Sequence, residues 1–164
     1  MIQSSTIELL MYQIGQLFLL PVLLLVAAMF AYSLYALGGF LLQTLQRRRR
    51  GPQLVGFPLL QHVQANAAAS LDELDLLAHK LLEPSRIASR VAPMLGLIGT
   101  MIPMGPALKS LTEGKLSQVS SNLTVAFSVV IIALIAASIT YWIANVRRRW
   151  LAEEILEVQK ARTA

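Results

Sequence analysis

The chain has 164 residues and a formal net charge of +5, with 55% of its residues hydrophobic and only 14% charged, and its mean hydropathy is +0.60. Soluble domains carry charge on about a quarter of their residues, so most soluble enzymes are excluded; Arg clustered beside apolar runs also argues against nucleic-acid binding. The absence of Cys excludes a disulfide framework, a thiolate metal site and a thiol nucleophile.

In chain order, residues 1–46 read as an external N-terminus and a first membrane span. Residues 9–46 contain no Asp, Glu, Lys or Arg, and about 20 apolar residues suffice to cross a bilayer as helix. No basic stretch precedes the run and no small-residue cleavage site ends it, so it reads as a retained span rather than a cleaved signal peptide. A basic cluster follows, Arg47-Arg48-Arg49-Arg50, and the last apolar run ends in another, Arg147-Arg148-Arg149. The positive-inside rule puts both clusters in the cytoplasm, and with them the C-terminus, leaving the N-terminus outside.

Residues 47–90 then form a cytoplasmic helical segment. It opens on the breakers Gly51-Pro52 and Gly56-Phe57-Pro58, after which Leu60, Val63, Ala67, Leu71, Leu74, Ala78 and Leu81 recur at spacings of three and four. That is one helix face, expected to end at Glu83-Pro84 because proline cannot continue the ladder. Ser70-Leu-Asp-Glu73 fits a capping box; a single longer helix through it is equally compatible with the pattern. The polar face, with Gln64, Asp72, Asp75 and Lys80, needs water or a partner. The helix either packs on extensions of the membrane spans, the preferred reading, or docks another protein. His62 and His79, seventeen residues apart, read as surface histidines rather than ligands.

The second span, residues 91–108, holds three Gly, three Pro and one Thr. Gly96, Gly99 and Gly105 allow close helix approach. Pro103 and Pro106 each remove an intrahelical hydrogen bond and free a carbonyl, which hydrocarbon tolerates only against protein or water. Thr100 is the span's one hydroxyl, and bonding its own backbone a turn earlier is its simplest role. An external hairpin, 109–116, leads to the third span, 117–146. There Ser117, Ser121, Thr124 and Ser128 share a helix face, as a water-accessible stripe or as small residues for tight packing. Residues 147–164 continue as a cytoplasmic C-terminal helix, with Trp142 and Trp150 bracketing the Arg cluster as interface anchors.

No Asp, Glu, His, Lys or Arg lies within any of the three spans. Proteins that move ions generally carry one there, so an ion carrier here must come from another chain. No catalytic set, phosphate loop or metal-ligand cluster is present, and Gly96-Leu-Ile-Gly99 has neither the length nor the context of a nucleotide loop. The expectation is a protein that is not an enzyme, with no cofactor, no metal and no nucleic acid partner.

The run Ala88-Ser-Arg-Val-Ala-Pro-Met-Leu-Gly-Leu-Ile-Gly-Thr100 resembles the start of the second span in the MotA/TolQ/ExbB proton-channel family, with Arg90, Pro93, Leu95, Gly96, Leu97, Gly99 and Thr100 in place. The third span departs from the family pattern: Ala126-Phe-Ser-Val-Val-Ile-Ile-Ala133 lacks its Thr and Gly, and Ser128 is the nearest hydroxyl. The resemblance implies an all-α membrane protein of the inner (cytoplasmic) membrane. It would have three transmembrane helices with cytoplasmic helical extensions, assembling as a pentameric ring in lipid. The ring would surround an ExbD/TolR/MotB-like single-span partner bearing a membrane Asp. Thr100, Thr124 and Ser128 would line the ion path, and Gly96, Gly99, Pro103, Gly105 and Pro106 would shape it. The implied function is proton-motive-force-driven energy transduction; the alternative is a structural or assembly protein of the same fold that conducts nothing.

Overall fold

The structure, a computed structural model, describes residues 2–48, 56–66 and 69–163. Arg49, Arg50, Gly51, Pro52 and Ala67 lie outside the described residues. Among those described there are four helices and no strand: α1 (Ile2–Arg48), α2 (Pro58–Ala65), α3 (Leu71–Thr112) and α4 (Leu116–Thr163). Three of them, α1, α3 and α4, are long and apolar enough to cross a membrane.

The break before α3 is capped by Ser70, the serine half of the box. The Glu73 amide donates to Ser70 Oγ at 3.1 Å, while the Leu74 amide donates to the Ser70 carbonyl at 3.2 Å. A serine in this position satisfies one of the amides that a helix start leaves without a partner, so the two-helix alternative is the one adopted.

Helix α3 does not stop at Pro84. It runs unbroken through Pro84, Pro93, Pro103 and Pro106, against the expectation from sequence. Each proline removes a single ladder bond, and the helix is held along one side: Leu74, Ala78, Leu82, Ser85, Ala88 and Ala92 are all buried at spacings of three and four. The buried register takes Leu82 and leaves Leu81 exposed, one position on from the sequence pattern. The helix ends in a Schellman cap. Gly114 has a φ of 72°, its amide donates to the Leu111 carbonyl at 3.1 Å, and the Lys115 amide donates to the Ser110 carbonyl at 2.9 Å. The hairpin is thereby shortened to the turn around Gly114, where Lys115 pairs with Glu113 at 2.7 Å and, donating to its carboxylate, holds that carboxyl below its ordinary range.

The chain divides into two compact units. The first combines the described residues of Met1–Tyr32 with Arg90–Ala137. Its interior is thin and built from small side chains: Val26, Val129 and Ala133 with Leu23 and Leu95, then Ala92, Ala136 and Ala137 with Met29 and Phe30. Around it Leu17, Phe18, Leu24, Leu97, Met101, Met104, Phe127 and Ile131 are exposed. Apolar surface on this scale needs lipid or protein against it.

The second unit comprises the described residues of Ser33–Ser89 and Ser138–Ala164. Its core joins Leu59 of α2, Leu74, Ala78 and Leu82 of α3, and Leu151 and Val158 of α4. Thus α2 and the first turns of α3 pack on the extension of the third span, which is how their amphipathic face is covered. Arg162 Nη2 donates to the Ala69 carbonyl, fixing the far end of α4 to the segment before α3.

Candidate functional site

In the first unit, Gly96 and Gly99 of the second-span motif face neighbouring helices of the same chain. A Cβ placed on Gly96 would stand 2.8 Å from the Ala133 Cβ, and one on Gly99 would stand 2.5 Å from Val129 Cγ1 and 3.6 Å from Val22 Cγ1. Only glycine permits that approach. In a bilayer, close packing of backbones replaces the hydrophobic drive that water would provide. The buried stripe of α3 continues through Pro103, Ala107 and Ser110. Gly105 is different: it is exposed, and a Cβ there would meet only Tyr12 Cε2 at 3.8 Å, an ordinary contact. Pro106 is half-buried.

Thr100 lies at the margin of this stripe, half-buried, and its hydroxyl donates to the Leu97 carbonyl at 2.7 Å. On α4, Thr124 Oγ1 donates to the Ser120 carbonyl and Ser128 Oγ to the Thr124 carbonyl, both at 2.8 Å. Thr124 and Ser128 share one exposed face, one turn apart. No hydrogen bond among the described residues joins Thr100 to either. A hydroxyl that donates backward along its helix keeps its lone pairs as acceptors. Each of the three therefore presents an oxygen able to receive a proton donor while contributing no charge.

The basic clusters divide by burial. Arg48, Arg148 and Arg149 are exposed, whereas Arg47 and Arg147 are half-buried. Trp142 is 65% exposed, beside an exposed Tyr141. Trp150 instead stacks on Phe40, with centroids 5.2 Å apart and the rings tilted by 8°. The Arg47 guanidinium lies 4.5 Å from the Trp150 ring centroid and 4.4 Å from that of Phe57. Phe40, Trp150, Arg47 and Phe57 are thus linked ring to ring to cation to ring, within the second unit.

Arg47 Nη2 also pairs with the Glu154 carboxylate, and Arg47 Nε donates to the Gly56 carbonyl at 2.9 Å. The second Glu154 oxygen accepts from the Leu59 amide at 2.9 Å, one of the amides left open at the start of α2. Glu154 is 1% exposed. Its signal in the sequence is a carboxylate at the middle of an apolar stripe, Leu151, Glu154 and Val158, where a buried charge requires a partner. Sequence reasoning also missed Ser33 and Thr140, both buried. His62 is less solvated than expected, with Nε2 3.6 Å from Glu73 Oε1, while His79 is exposed beside Asp75. Among the described residues no group of three metal-ligating side chains occurs.

A sequence model of the MotA/TolQ/ExbB proton channel family matches residues 60–160, well over half of the chain. The chain belongs to that family. As a MotA/TolQ/ExbB protein it is a multi-pass membrane protein of the proton-channel type, a class of channels and transducers rather than typical enzymes, and membership implies a membrane complex with a single-span ExbD/TolR/MotB-like partner. Nothing among curated proteins or solved structures matches the chain significantly. The matched segment includes Gly96, Gly99 and Thr100, the packing glycines and the one hydroxyl of the second span.

Proposed function

We propose that this MotA/TolQ/ExbB protein is the ring subunit, in five copies, of an energy-transducing complex of the inner membrane driven by the proton motive force. Ions pass between it and a single-span partner whose membrane helix carries an Asp. The observation that carries the reading is a pairing of features in one unit: no Asp, Glu, His, Lys or Arg within residues 91–108 or 117–137, and three hydroxyls there whose oxygens remain acceptors.

A protonated Asp on a partner helix donates to such an oxygen; once ionised it cannot, and the change in protonation changes what holds the partner in place. Thr100, Thr124 and Ser128 are the acceptors in this reading. Gly96 and Gly99, packed inside the subunit, keep the second and third spans in register, and Gly105 and Pro106 are the shaping residues left nearer the surface. Movement of one charge across the membrane potential supplies about 2.3 kcal/mol per 100 mV. Arg47, Arg48, Arg147, Arg148 and Arg149 hold their ends of the helices in the cytoplasm, with the N-terminus outside.

A second reading rests on the third span. Ser128 alone carries a hydroxyl between Ala126 and Ala133, and a subunit with so apolar a face can serve assembly without conducting. Native mass spectrometry of the complex, purified in mild detergent from its own host at natural expression, separates the two. Five copies with a single-span Asp-bearing protein supports the transducer; a homo-oligomer without such a partner overturns it in favour of the structural reading.

A further inference from the structure

The second unit contains a cavity of about 300 Å3 whose polar lining comes from Gln43, Gln46 and Arg47 of α1, Gln61 of α2, and Arg147 and Trp150 of α4. Three amide side chains and two guanidiniums around one hollow form an unusual lining for a membrane subunit of this composition. Its depth is set by the sequence: the uncharged run of α1 stops at Gln46 and that of α4 at Val146. The cavity walls begin where those apolar runs end, the level of the lipid headgroups for helices that cross a bilayer.

Arg47 is committed to Glu154, to the Gly56 carbonyl and to the two flanking rings. Arg147 brings the second guanidinium, beside Gly39, where a Cβ would make only ordinary contact with Arg147 Nη2 at 3.9 Å. On the membrane side of Gln46, Leu42 and Leu45 are exposed along α1. The hollow thus brings two guanidiniums and three amides together, with exposed leucines beside Gln43 and Gln46 along α1.

We infer that this cavity binds the headgroup of an anionic phospholipid of the cytoplasmic leaflet. The phosphodiester lies against Arg147, headgroup hydroxyls bond to Gln43, Gln46 and Gln61, and an acyl chain follows Leu42 and Leu45. Guanidinium and phosphate form charge-assisted, geometrically matched pairs, and basic pockets at this level suit anionic headgroups. The inference depends on the chain spanning a membrane and is independent of whether the complex conducts ions.

The test uses the full chain, delipidated in detergent and titrated with phosphatidylglycerol, phosphatidylcholine or inorganic phosphate, with retained adducts read by native mass spectrometry. Phosphatidylglycerol is expected to bind in preference to phosphatidylcholine. Arg147→Gln is expected to weaken it about tenfold, the effect of losing one charge-assisted contact. Arg149→Gln, which removes the same charge from an exposed position outside the lining, leaves binding unchanged. Should Arg147→Gln fail to fold, Gln46→Glu at the exposed rim gives the same readout by setting a carboxylate against the phosphate. Equal losses in Arg147→Gln and Arg149→Gln, no loss in Gln46→Glu, or no preference over phosphatidylcholine would each overturn the assignment. Displacement of the lipid by millimolar phosphate would reassign the hollow to a free anion.

Discussion

Arg47 at the end of the first span is paired with Glu154, 107 residues further along the chain, and that carboxylate is 1% exposed. The pair sits where the first helix, the short α2 and the extension of the third helix meet in the second unit. Breaking a buried pair by removing one partner leaves an uncompensated charge and costs about 3–5 kcal/mol, whereas replacing both with apolar groups is often neutral. Glu154→Gln keeps an acceptor for the Leu59 amide and discards the charge that balances Arg47. It is expected to destabilise the unit by about 3 kcal/mol, and the Arg47→Met, Glu154→Met double variant is expected to recover only part of that, since the Leu59 amide then loses its acceptor. Denaturant melts in detergent, with amide exchange at Leu59 as the local reporter, check both.

The second prediction concerns the family motif. Gly96→Ala forces a methyl against Ala133 Cβ, an atom fixed to its backbone that no rotamer can move, at 2.8 Å. Overpacking of this kind costs about 1–3 kcal/mol. Ala133→Gly in the same chain opens the space and is expected to restore stability. Gly99→Ala meets Val129 Cγ1, and Val129→Ala is its rescue. Gly105→Ala, with ordinary contact only, leaves the melting midpoint unchanged in the same detergent series.

Much of this architecture was legible beforehand. Three charge-free runs, two of them ending in Arg clusters, specified three long helices, and Arg90 through Thr100 specified the family. Less legible was where each motif residue faces, because Gly96 and Gly99 read equally as packing or as pore surface until Ala133 and Val129 are seen against them. Pro84 misled for a related reason: its local penalty is one ladder bond, and the burial of Leu82, Ser85 and Ala88 on one side outweighs it. Arg47 read as one of four equivalent topology charges. Its partner lies too far along the chain for any local pattern to join them, and only the apolar neighbours of Glu154 marked that carboxylate as buried. The roles of Thr100, Thr124 and Ser128 rest on the partner chain and are tested by function.

Thr100→Val preserves the shape of the side chain and removes its oxygen. The hydrogen bond to the Leu97 carbonyl stays within its own helix, so helix and assembly are expected to survive. Proton flux through the complex with its partner is expected to fall about tenfold, equivalent to roughly 1.4 kcal/mol on the limiting barrier. Thr100→Ser keeps the oxygen and retains most of the flux. Proteoliposomes energised by a potassium potential, with an internal pH dye, provide the measurement. Unchanged flux in Thr100→Val alongside intact stoichiometry would remove Thr100 from the ion path.

The last prediction compares two glycines with positive φ. Gly114, at 72°, closes the turn between α3 and α4 with open space where a side chain would stand. Gly56, at 97°, is packed: a Cβ would meet Arg47 Cγ at 3.3 Å and the Gln43 carbonyl oxygen at 3.4 Å. Its own carbonyl accepts from both Arg47 Nε and Gln43 Nε2. Gly114→Ala therefore carries only the left-handed backbone penalty, about 1–2 kcal/mol, and Gly114→Asn carries less because asparagine tolerates that conformation. Gly56→Ala adds displacement of the Arg47 backbone and side chain to the same penalty. It is expected to cost more than Gly114→Ala, and its effect is expected to shrink in the Arg47→Met, Glu154→Met background, where less depends on the position of that side chain. Equal effects in both backgrounds would show that Gly56 acts through its backbone alone. A double-mutant cycle on the melting midpoint distinguishes the two outcomes.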